Sequence, residues 1–210
     1  QTAGKLANKL AVLSAQGLEA EEKIPLLGMF FDGTEGKNGD VAFEMLERIL
    51  HLDLQVILVF ADEAAKRRGL EKLRKAFPKK LTVAVAPDLT LMHRIIAGCD
   101  FTLQAACSEN NISQQMIHLR YGTLPLVNKI GCVMEALGES GEGKCKTFYF
   151  DACDKKSVFD AVKNAVACYQ DNKNWPKLVK KVMKIDFCWK SAAERYIKLL
   201  QRFETWKKRK

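Results

Sequence analysis

Apolar runs of strand length alternate with segments of helical period along the first half of the chain. The first three runs are almost wholly apolar, as strands buried on both faces of a sheet must be. In the segments between them, apolar residues recur every three or four positions. The order βαβαβ predicts an α/β fold in which helices cover both faces of a parallel sheet. The runs and segments are, in chain order, 24–31, 41–50, 54–60, 62–77, 81–86 and 89–98.

The same alternation continues to the end of the chain. Gly122 ends a helix that follows the polar loop 105–112, and Trp189 and Tyr196 lie at helical spacing, which predicts that both are core residues. A length of 210 residues fits one large domain, 1–210, with a leading helix within residues 1–20. Further strands are predicted at 100–105, 123–127 and 146–150, and further helices at 4–18, 155–170, 174–184 and 189–208.

The formal net charge of +9 would suit an anionic partner such as nucleic acid, a membrane surface or a phosphorylated small molecule. Much of the excess lies in residues 177–184 and 206–210, without interleaved aromatic residues suited to stacking bases. Solvated helix faces are the simpler interpretation, and no nucleic-acid partner is expected.

Composition restricts the remaining classes of function. No apolar run approaches the ~18 to 20 residues of a membrane span, and the chain does not begin like a secretion signal, so no membrane partner is expected. The seven cysteines are scattered without a Cys-x-x-Cys pair, which favours free thiols in a reducing compartment. No cluster of histidine and acidic residues has metal-ligand spacing, so no metal is expected.

Loops that follow the strands should carry the function, because ligands bind beyond the carboxyl ends of the strands in open parallel sheets. The loop 32–40 holds three glycines and Lys37, which could present backbone amides and an ammonium to a phosphate. A tight glycine turn with a solvated lysine explains the same residues, since no standard phosphate-loop motif is present. Three more loops fall at this edge, at 86–89, 105–112 and 128–132.

The later loops add further candidate ligands. Lys129 with Gly131 is compatible with close approach to an anion, whereas Glu109 and Ser113 offer hydrogen-bonding groups of the kind that hold sugar hydroxyls. A lone glutamate in a loop is also typical of a solvated side chain, so a ligand site and a simple connection both remain open.

Three stretches resemble motifs of one family, the bacterial glycogen synthases and plant starch synthases. "HRIIAGCDF" (93–101) resembles that family's H-R-I-[IM]-[AG]-G-A-D-[FV], and "LRYGTLPLV" (119–127) resembles its L-[KR]-Y-G-T-[LI]-P-[LVI]-V. "IDFCWKSAAERY" (185–196) is similar to M-D-F-S-W-x-x-A-A-x-x-Y. The resemblance covers residues 4 to about 202, and its three motifs occur in the family's order.

The resemblance implies a fold and an activity. Members of this family are retaining glucosyltransferases of the GT-B class, whose two Rossmann-like domains transfer glucose from ADP-glucose or a related donor to the non-reducing end of an α-1,4-glucan. This chain would be the second, nucleotide-sugar-binding domain, a Rossmann-like three-layer αβα structure. Its last helix, 189–208, would cross to a first domain that is missing from the chain, so the chain alone is expected to be inactive.

The resemblance also implies partners and a place in the cell. The partners would be the nucleotide sugar, the α-glucan and the missing amino-terminal domain in cis. No cofactor is implied, because the nucleotide sugar is a substrate. The expected location is the bacterial cytoplasm, or the plastid stroma for a plant or algal protein.

Departures from the family pattern cluster in the binding loops. The family's S-R-L-T-x-Q-K-G corresponds to "FDGTEGKNG", which keeps Thr34 and the catalytic Lys37 but places Asp32 where an arginine neutralises the donor's diphosphate. A carboxylate there would repel the anion that the arginine attracts. Pro87 corresponds to a tyrosine that stacks on adenine, and His93 is a matched position near the start of a helix.

The third and fourth loops are also rewritten. The family's S-R-F-E-P-C-G-L-T-Q corresponds to "ACSENNISQQ", where Glu109 keeps the position that holds the transferred glucose, and Ser113 lies between Ile112, which replaces a glycine, and Gln114, which replaces a threonine. An isoleucine cannot substitute for a glycine where the backbone approaches phosphate. Of the two glycines in the family's R-x-T-G-G-L turn, this chain keeps the first as Gly131 and replaces the second with Cys132.

Three hypotheses follow. The chain is half of an active glucosyltransferase with an altered donor pocket, or a catalytically degenerate relative that binds glucan or a partner protein. The third is an unrelated nucleotide-binding or nucleic-acid module, against which the three family motifs argue. The family activity is the preferred interpretation.

Overall fold

The computed structural model describes residues 2–31, 37–62, 69–104, 112–128, 149–150 and 154–207, with the side chains in these ranges except those of 2, 37–40, 104, 112 and 204–207. Six strands and nine helices lie in this part of the chain. The strands are β1 (Leu26–Phe31), β2 (Gln55–Phe60), β3 (Leu81–Val85), β4 (Phe101–Gln104), β5 (Leu124–Asn128) and β6 (Tyr149–Phe150). The helices are α1 (Thr2–Ala15), α2 (Lys37–Glu44), α3 (Leu46–Leu50), α4 (Leu70–Ala76), α5 (Leu89–Gly98), α6 (Ile112–Arg120), α7 (Lys155–Tyr169), α8 (Trp175–Val182) and α9 (Trp189–Lys207).

All six strands belong to one parallel sheet with the order β3-β2-β1-β4-β5-β6. Chain order therefore runs outward from β1 in one direction through β3, then restarts beside β1 with β4 and runs outward in the other. This is the strand order of a Rossmann-like fold, and its switch point lies between β1 and β4. The predicted α/β class with a parallel sheet is confirmed.

Helices cover both faces of the sheet, as alternating residues of the central strands show. In β2, Val56 and Leu58 point into a core formed mainly with α2, α3 and α7, whereas Ile57 and Val59 point into a second core formed with α1 and α5. Because side chains alternate along a strand, an unbroken apolar run serves both cores at once. The result is a three-layer αβα arrangement.

Some predicted bounds need correction. Residues 41–50 were expected to form one helix after a loop at 32–40, but α2 already begins at Lys37 and a turn at Met45 separates it from α3. Met45 is 2% exposed, so this turn lies against the core. After it, α3 buries Leu46, Ile49 and Leu50.

Two expectations about side chains are wrong. Trp189 is 89% and Tyr196 68% exposed, so neither is a core residue. Their helix, α9, presents the apolar spacing that predicted burial, but no described element covers that face. Cys168, at 1% exposure, is disulfide-bonded rather than free, whereas Cys99 and Cys188 are free thiols.

Candidate functional site

At the carboxyl edge of the sheet, two strands that precede predicted binding loops end side by side. These strands are β1 and β4, and Phe30 is paired to Gln104 near their ends. The chain connections after these two strands run in opposite directions along the sheet. Sheets of this kind bind ligands in the crevice at such a point. The predicted residues Asp32, Thr34 and Glu109 belong to these two loops and lie outside the described residues.

Two helices begin at this crevice. Lys37 is the first residue of α2, and Ile112 is the first residue of α6. The unpaired backbone amides of a helix's first turn attract anions, so both starts are suited to a phosphate group. On α6, Ser113 and Gln114 are exposed in that first turn, while Gln115 is 3% exposed and belongs to the interior.

The turn after β3 is held in a strained conformation. Ala86 has a φ of 45°, in the left-handed region that non-glycine residues rarely adopt, and its amide donates to the Phe60 carbonyl at 2.9 Å. Pro87 follows, half-buried, and Asp88 then caps α5 by accepting from the Leu91 amide at 2.7 Å. A rigid turn with a proline therefore occupies the position where the resemblance implies a stacking ring.

His93 lies one turn into α5 and already has a protein partner. Its Nδ1 is 3.0 Å from the Tyr121 hydroxyl, and the two rings meet edge to face with centroids 5.7 Å apart. This contact fastens α5 to the turn that follows α6. The structure thus gives His93 a packing role between elements, and its predicted contact with the donor stays a prediction.

His118, in the last turn of α6, is an interior residue. It is 2% exposed, its Nδ1 lies 2.9 Å from the Thr102 hydroxyl, and the Phe30 ring is 5.5 Å away. Burial, with a smaller contribution from the charge of Lys5, lowers the pKa of the His118 imidazole to about 4. The ring is therefore neutral at physiological pH.

A buried charged network occupies the opposite, amino-terminal edge of the sheet. The ammonium of Lys9 contacts the carboxylate of Asp100 at 2.8 Å, and Asp100 accepts from the Leu26 amide at 2.9 Å. The ammonium of Lys5 donates to the Ala97 carbonyl at 3.0 Å and also contacts the Cys99 carbonyl. Burial lowers the pKa of the Lys5 ammonium to about 8. These contacts tie α1 to the starts of β1 and β4.

Sequence reasoning missed this network, although a signal was present. Lys5 and Lys9 lie four residues apart on the face of α1 that also carries Val12 and Leu13, both buried. Lysines at core positions of an amphipathic helix indicate either that they are buried and paired with acidic residues, or that the buried face of the helix has been assigned incorrectly. The acidic partner, Asp100, lies about 90 residues later and could not be assigned from spacing alone.

The remaining candidates are placed only in part. Lys129, Gly131 and Cys132 follow β5, next to β4, and lie outside the described residues. Within the described ranges, no group of three or more histidine, cysteine or acidic residues could hold a metal ion. In the same ranges, no helix is long and apolar enough to cross a membrane.

Comparison with known proteins gives glycogen synthases among its relatives. The glycogen synthase of Chlorobium phaeobacteroides is 30% identical over 196 residues, which are 93% of this chain and 40% of that protein. The glycogen synthase of Lactobacillus acidophilus is 32% identical over 194 residues, 91% of this chain and 41% of that protein. The chain thus spans about 40% of the length of these relatives. No family model matches the chain.

Solved structures agree with the sequence relatives. The catalytic domain of starch synthase IV from Arabidopsis thaliana, bound to ADP and acarbose, superposes with a TM-score of 0.74 at 27% identity, covering 94% of this chain and 42% of that one. The sucrose-phosphate synthase of Thermosynechococcus elongatus superposes with a TM-score of 0.60 at 13% identity, which supports the fold alone.

Proposed function

We propose that this chain, a homologue of the glycogen and starch synthases over about 40% of their length, is the donor-binding half of a retaining glucosyltransferase. The whole enzyme would transfer glucose from ADP-glucose or a related nucleotide sugar to the non-reducing end of an α-1,4-glucan. One observation carries the proposal. The order in which successive strands join the sheet reverses between β1 and β4, and the two loops that carry the family's donor-binding motifs follow those strands.

The crevice supports a division of roles. The starts of α2 and α6 offer backbone amides for the diphosphate, and the Lys37 ammonium would add a positive charge there. Glu109 would accept hydrogen bonds from the hydroxyls of the transferred glucose, since it keeps the family position for that contact. Ser113 and Gln114 lie exposed in the first turn of α6, where they would complete the polar lining.

Four substitutions would weaken donor binding. Asp32 replaces the arginine that would neutralise the diphosphate, and Ile112 adds a side chain where the family has a glycine. Cys132 replaces the second glycine of the segment that follows β5. Pro87 provides no aromatic ring for the base, and the strained turn at Ala86 fixes its position. A charge-assisted contact contributes ~1.5 to 3 kcal/mol, so loss of the arginine alone would weaken binding by about tenfold or more.

The rest of the enzyme would cover α9. Six large apolar side chains of this helix are more than half exposed: those of Trp189, Tyr196, Ile197, Leu199, Leu200 and Phe203. An apolar face of this extent on a protein that spans 40% of its relatives' length is suited to contact with the part of the enzyme outside this chain. That part would also supply the acceptor site, so the chain alone would not turn over substrate.

Titration of the chain with ADP tests the donor-binding role. Asp32→Arg restores the family's cation, and we expect it to tighten ADP binding by about tenfold, as measured by isothermal titration calorimetry. Asp53→Arg is the matched control, because this exposed carboxylate precedes β2 at the opposite edge of the sheet and its replacement makes the same change in charge. The control should leave ADP binding unchanged.

The outcomes separate the donor-binding role from its alternatives. Tighter binding by Asp32→Arg alone supports the proposal. Equal effects of both variants would indicate a general attraction of ADP to positive charge, and no ADP binding by any form of the chain would contradict the donor-binding role.

A further inference from the structure

Two adjoining cavities lie at the amino-terminal side of the sheet, away from the donor loops. Their volumes are about 350 Å³ and about 410 Å³, within the range of small-molecule sites. Four residues line both cavities: Glu22, Tyr169, Trp175 and Pro176. The cavities therefore form one groove, here called the aromatic groove, between the segment that precedes β1 and the turn that joins α7 to α8.

Two aromatic rings form the wall of the aromatic groove and are fixed from behind. The rings of Tyr169 and Trp175 lie 5.1 Å apart, and Trp175 also contacts Phe101 with centroids 4.9 Å apart. The Tyr169 hydroxyl donates to the Glu22 carbonyl at 2.6 Å and accepts from the Lys9 ammonium at 2.7 Å. The rings are held in place before any ligand binds, which lowers the entropic cost of binding.

The polar groups of the groove differ between its floor and its rim. On the floor, the Lys9 ammonium has four oxygen partners, including Asp100 and the Ile24 carbonyl, and has no donor left for a ligand. On the rim, four exposed side chains make no hydrogen bond or ion pair with any described residue. These are Glu22, Lys23, Gln170 and Asn172. The Lys9 ammonium also lies over one face of the Tyr169 ring, 4.6 Å from its centroid. The groove therefore offers the remaining aromatic surface of Tyr169 and Trp175 inside and hydrogen-bonding groups outside.

This combination matches the surface of a sugar ring. A pyranose has C–H groups that pack on an aromatic face and hydroxyl groups around its edge that need donors and acceptors. Amide and carboxylate side chains supply both, while a wholly apolar groove would leave the hydroxyls without partners.

A stripe of lysines continues in sequence from the rim residue Asn172 along α8. Helical geometry places its three members within α8, Lys177, Lys180 and Lys181, within about 100° of arc, opposite the buried Leu178 and Val182. The other two members precede and follow the helix. None of the five forms an ion pair with a described residue, and the nearby Asp171 is used in capping contacts with Lys173 and Asn174 backbone amides. The lysine stripe consists of Lys173, Lys177, Lys180, Lys181 and Lys184. All five side chains are exposed.

We propose that the aromatic groove and the lysine stripe together form a second binding site, for a glucan chain that carries phosphate monoesters. Sugar residues would pack on Tyr169 and Trp175, and phosphate groups on the continuing chain would meet the stripe. Lysine binds phosphate as a flexible point charge, so irregularly spaced phosphates are tolerated. Only the choice of polymer rests on the proposed function, because this site lies at the opposite edge of the sheet and needs no nucleotide.

Affinity electrophoresis of the 210-residue chain tests the site without any sugar nucleotide. The gels contain phosphate-bearing amylopectin, the same amylopectin after phosphatase treatment, or heparin, which is a polyanion without α-glucan. The stripe variant is Lys177→Ser/Lys181→Ser and the groove variant is Gln170→Ala/Asn172→Ala. The control variant Lys190→Ser/Lys198→Ser removes the same charge from α9, where both lysines are exposed.

We expect the groove variant to lose retardation in both amylopectin gels. The stripe variant should bind phosphate-bearing amylopectin about tenfold more weakly, as expected for the loss of two solvent-exposed charge pairs of up to ~1 kcal/mol each, and bind the dephosphorylated glucan unchanged. The control variant should behave like the native chain in amylopectin. The proposal would be overturned if the native chain were retarded in heparin alone. It would also be overturned if the native chain and the groove variant were retarded equally in amylopectin, or if the native chain bound both glucans equally. Failure to bind ADP would contradict the donor-binding role and leave this result untouched.

Discussion

The ammonium of Lys9 and the carboxylate of Asp100 form a buried ion pair 2.8 Å apart, with side-chain exposures of 1% and 5%. Lys9 comes from the helix that precedes the sheet, and Asp100 comes from the turn that precedes β4. Asp100 also accepts from the first amide of β1, so one carboxylate connects α1 to the two strands of the switch point. The pair connects these elements at the edge opposite to the predicted binding loops.

Removal of Lys9 should be strongly destabilising. Lys9→Met leaves Asp100 as an unpaired buried charge, and we expect it to lower the free energy of unfolding by about 3 to 5 kcal/mol. Lys155→Met is the matched control, because Lys155 pairs with Glu44 at 2.7 Å on the surface, with exposures of 61% and 54%. The control should change stability by less than about 1 kcal/mol. Urea unfolding followed by circular dichroism measures both, and similar values for the two variants would contradict the structural role of the buried pair.

Acid should destabilise the chain through His118. Its pKa in the folded protein is about 4, below the ordinary value of 6.5, so the unfolded state binds a proton first as the pH falls. The titration of His118 leaves the free energy of unfolding unchanged above about pH 6.5. It lowers this free energy progressively as the pH falls from about 6.5 to 4. Between pH 7 and 4.5, the native chain should lose about 2 to 3 kcal/mol more than the variant His118→Gln.

Urea midpoints across this pH range provide the measurement. The comparison with His118→Gln removes the contributions of the other histidines, which are unchanged in the variant. Parallel pH profiles for the two proteins would show that the buried imidazole is not kept neutral by the fold.

Gly122 should be intolerant of a side chain for two separate reasons. Its φ is 74°, and a Cβ would lie 2.9 Å from Val179 Cγ1 and 3.0 Å from Met183 Sδ. Gly17 has a φ of 72° but no atom within 4 Å of such a Cβ. Gly17→Ala therefore measures backbone strain alone, at about 1 kcal/mol, and Gly122→Ala should cost about 1 to 3 kcal/mol more. Equal losses of stability for the two variants, as measured by thermal unfolding, would mean that α8 shifts to accommodate the added methyl group.

The exposed face of α9 should cause the chain to self-associate. Leu200 and Phe203 are 62% and 60% exposed, and an uncovered apolar face of this kind favours association. Leu200→Lys/Phe203→Lys should shift the chain to monomer in analytical ultracentrifugation. Gln201→Lys, which adds a charge to the same helix outside the apolar face, should not. Monomeric native chain at high concentration would contradict this prediction.

Local sequence patterns predicted the layers of the fold well. The helix predicted at 89–98 matches α5, because Asp88 caps its start and an apolar periodicity runs to its end. The central strands are recognisable because burial on both faces demands unbroken apolar runs. Contacts between distant segments were not predictable in this way. Lys9 meets Asp100 only because strand order places β4 next to β1, and Trp189 is exposed only because no described element covers α9.

The candidate binding residues were predicted from the resemblance rather than from periodicity. The structure places Pro87, His93, Ser113 and Gln114 at or near the expected edge, and it shows that His93 has Tyr121 as a partner. Spacing could not show this contact, because Tyr121 belongs to a different motif of the sequence.

Turnover by the full-length protein tests the central claim most directly. The protein that contains this chain is incubated with glycogen and radiolabelled ADP-glucose or UDP-glucose, and incorporation of glucose into the polymer is measured beside the variant Glu109→Gln. We predict incorporation that Asp32→Arg increases and that Glu109→Gln reduces by about 10² or more, since an interaction with the reacting sugar is lost. Absence of incorporation from either donor, or incorporation unaffected by Glu109→Gln, would contradict the account.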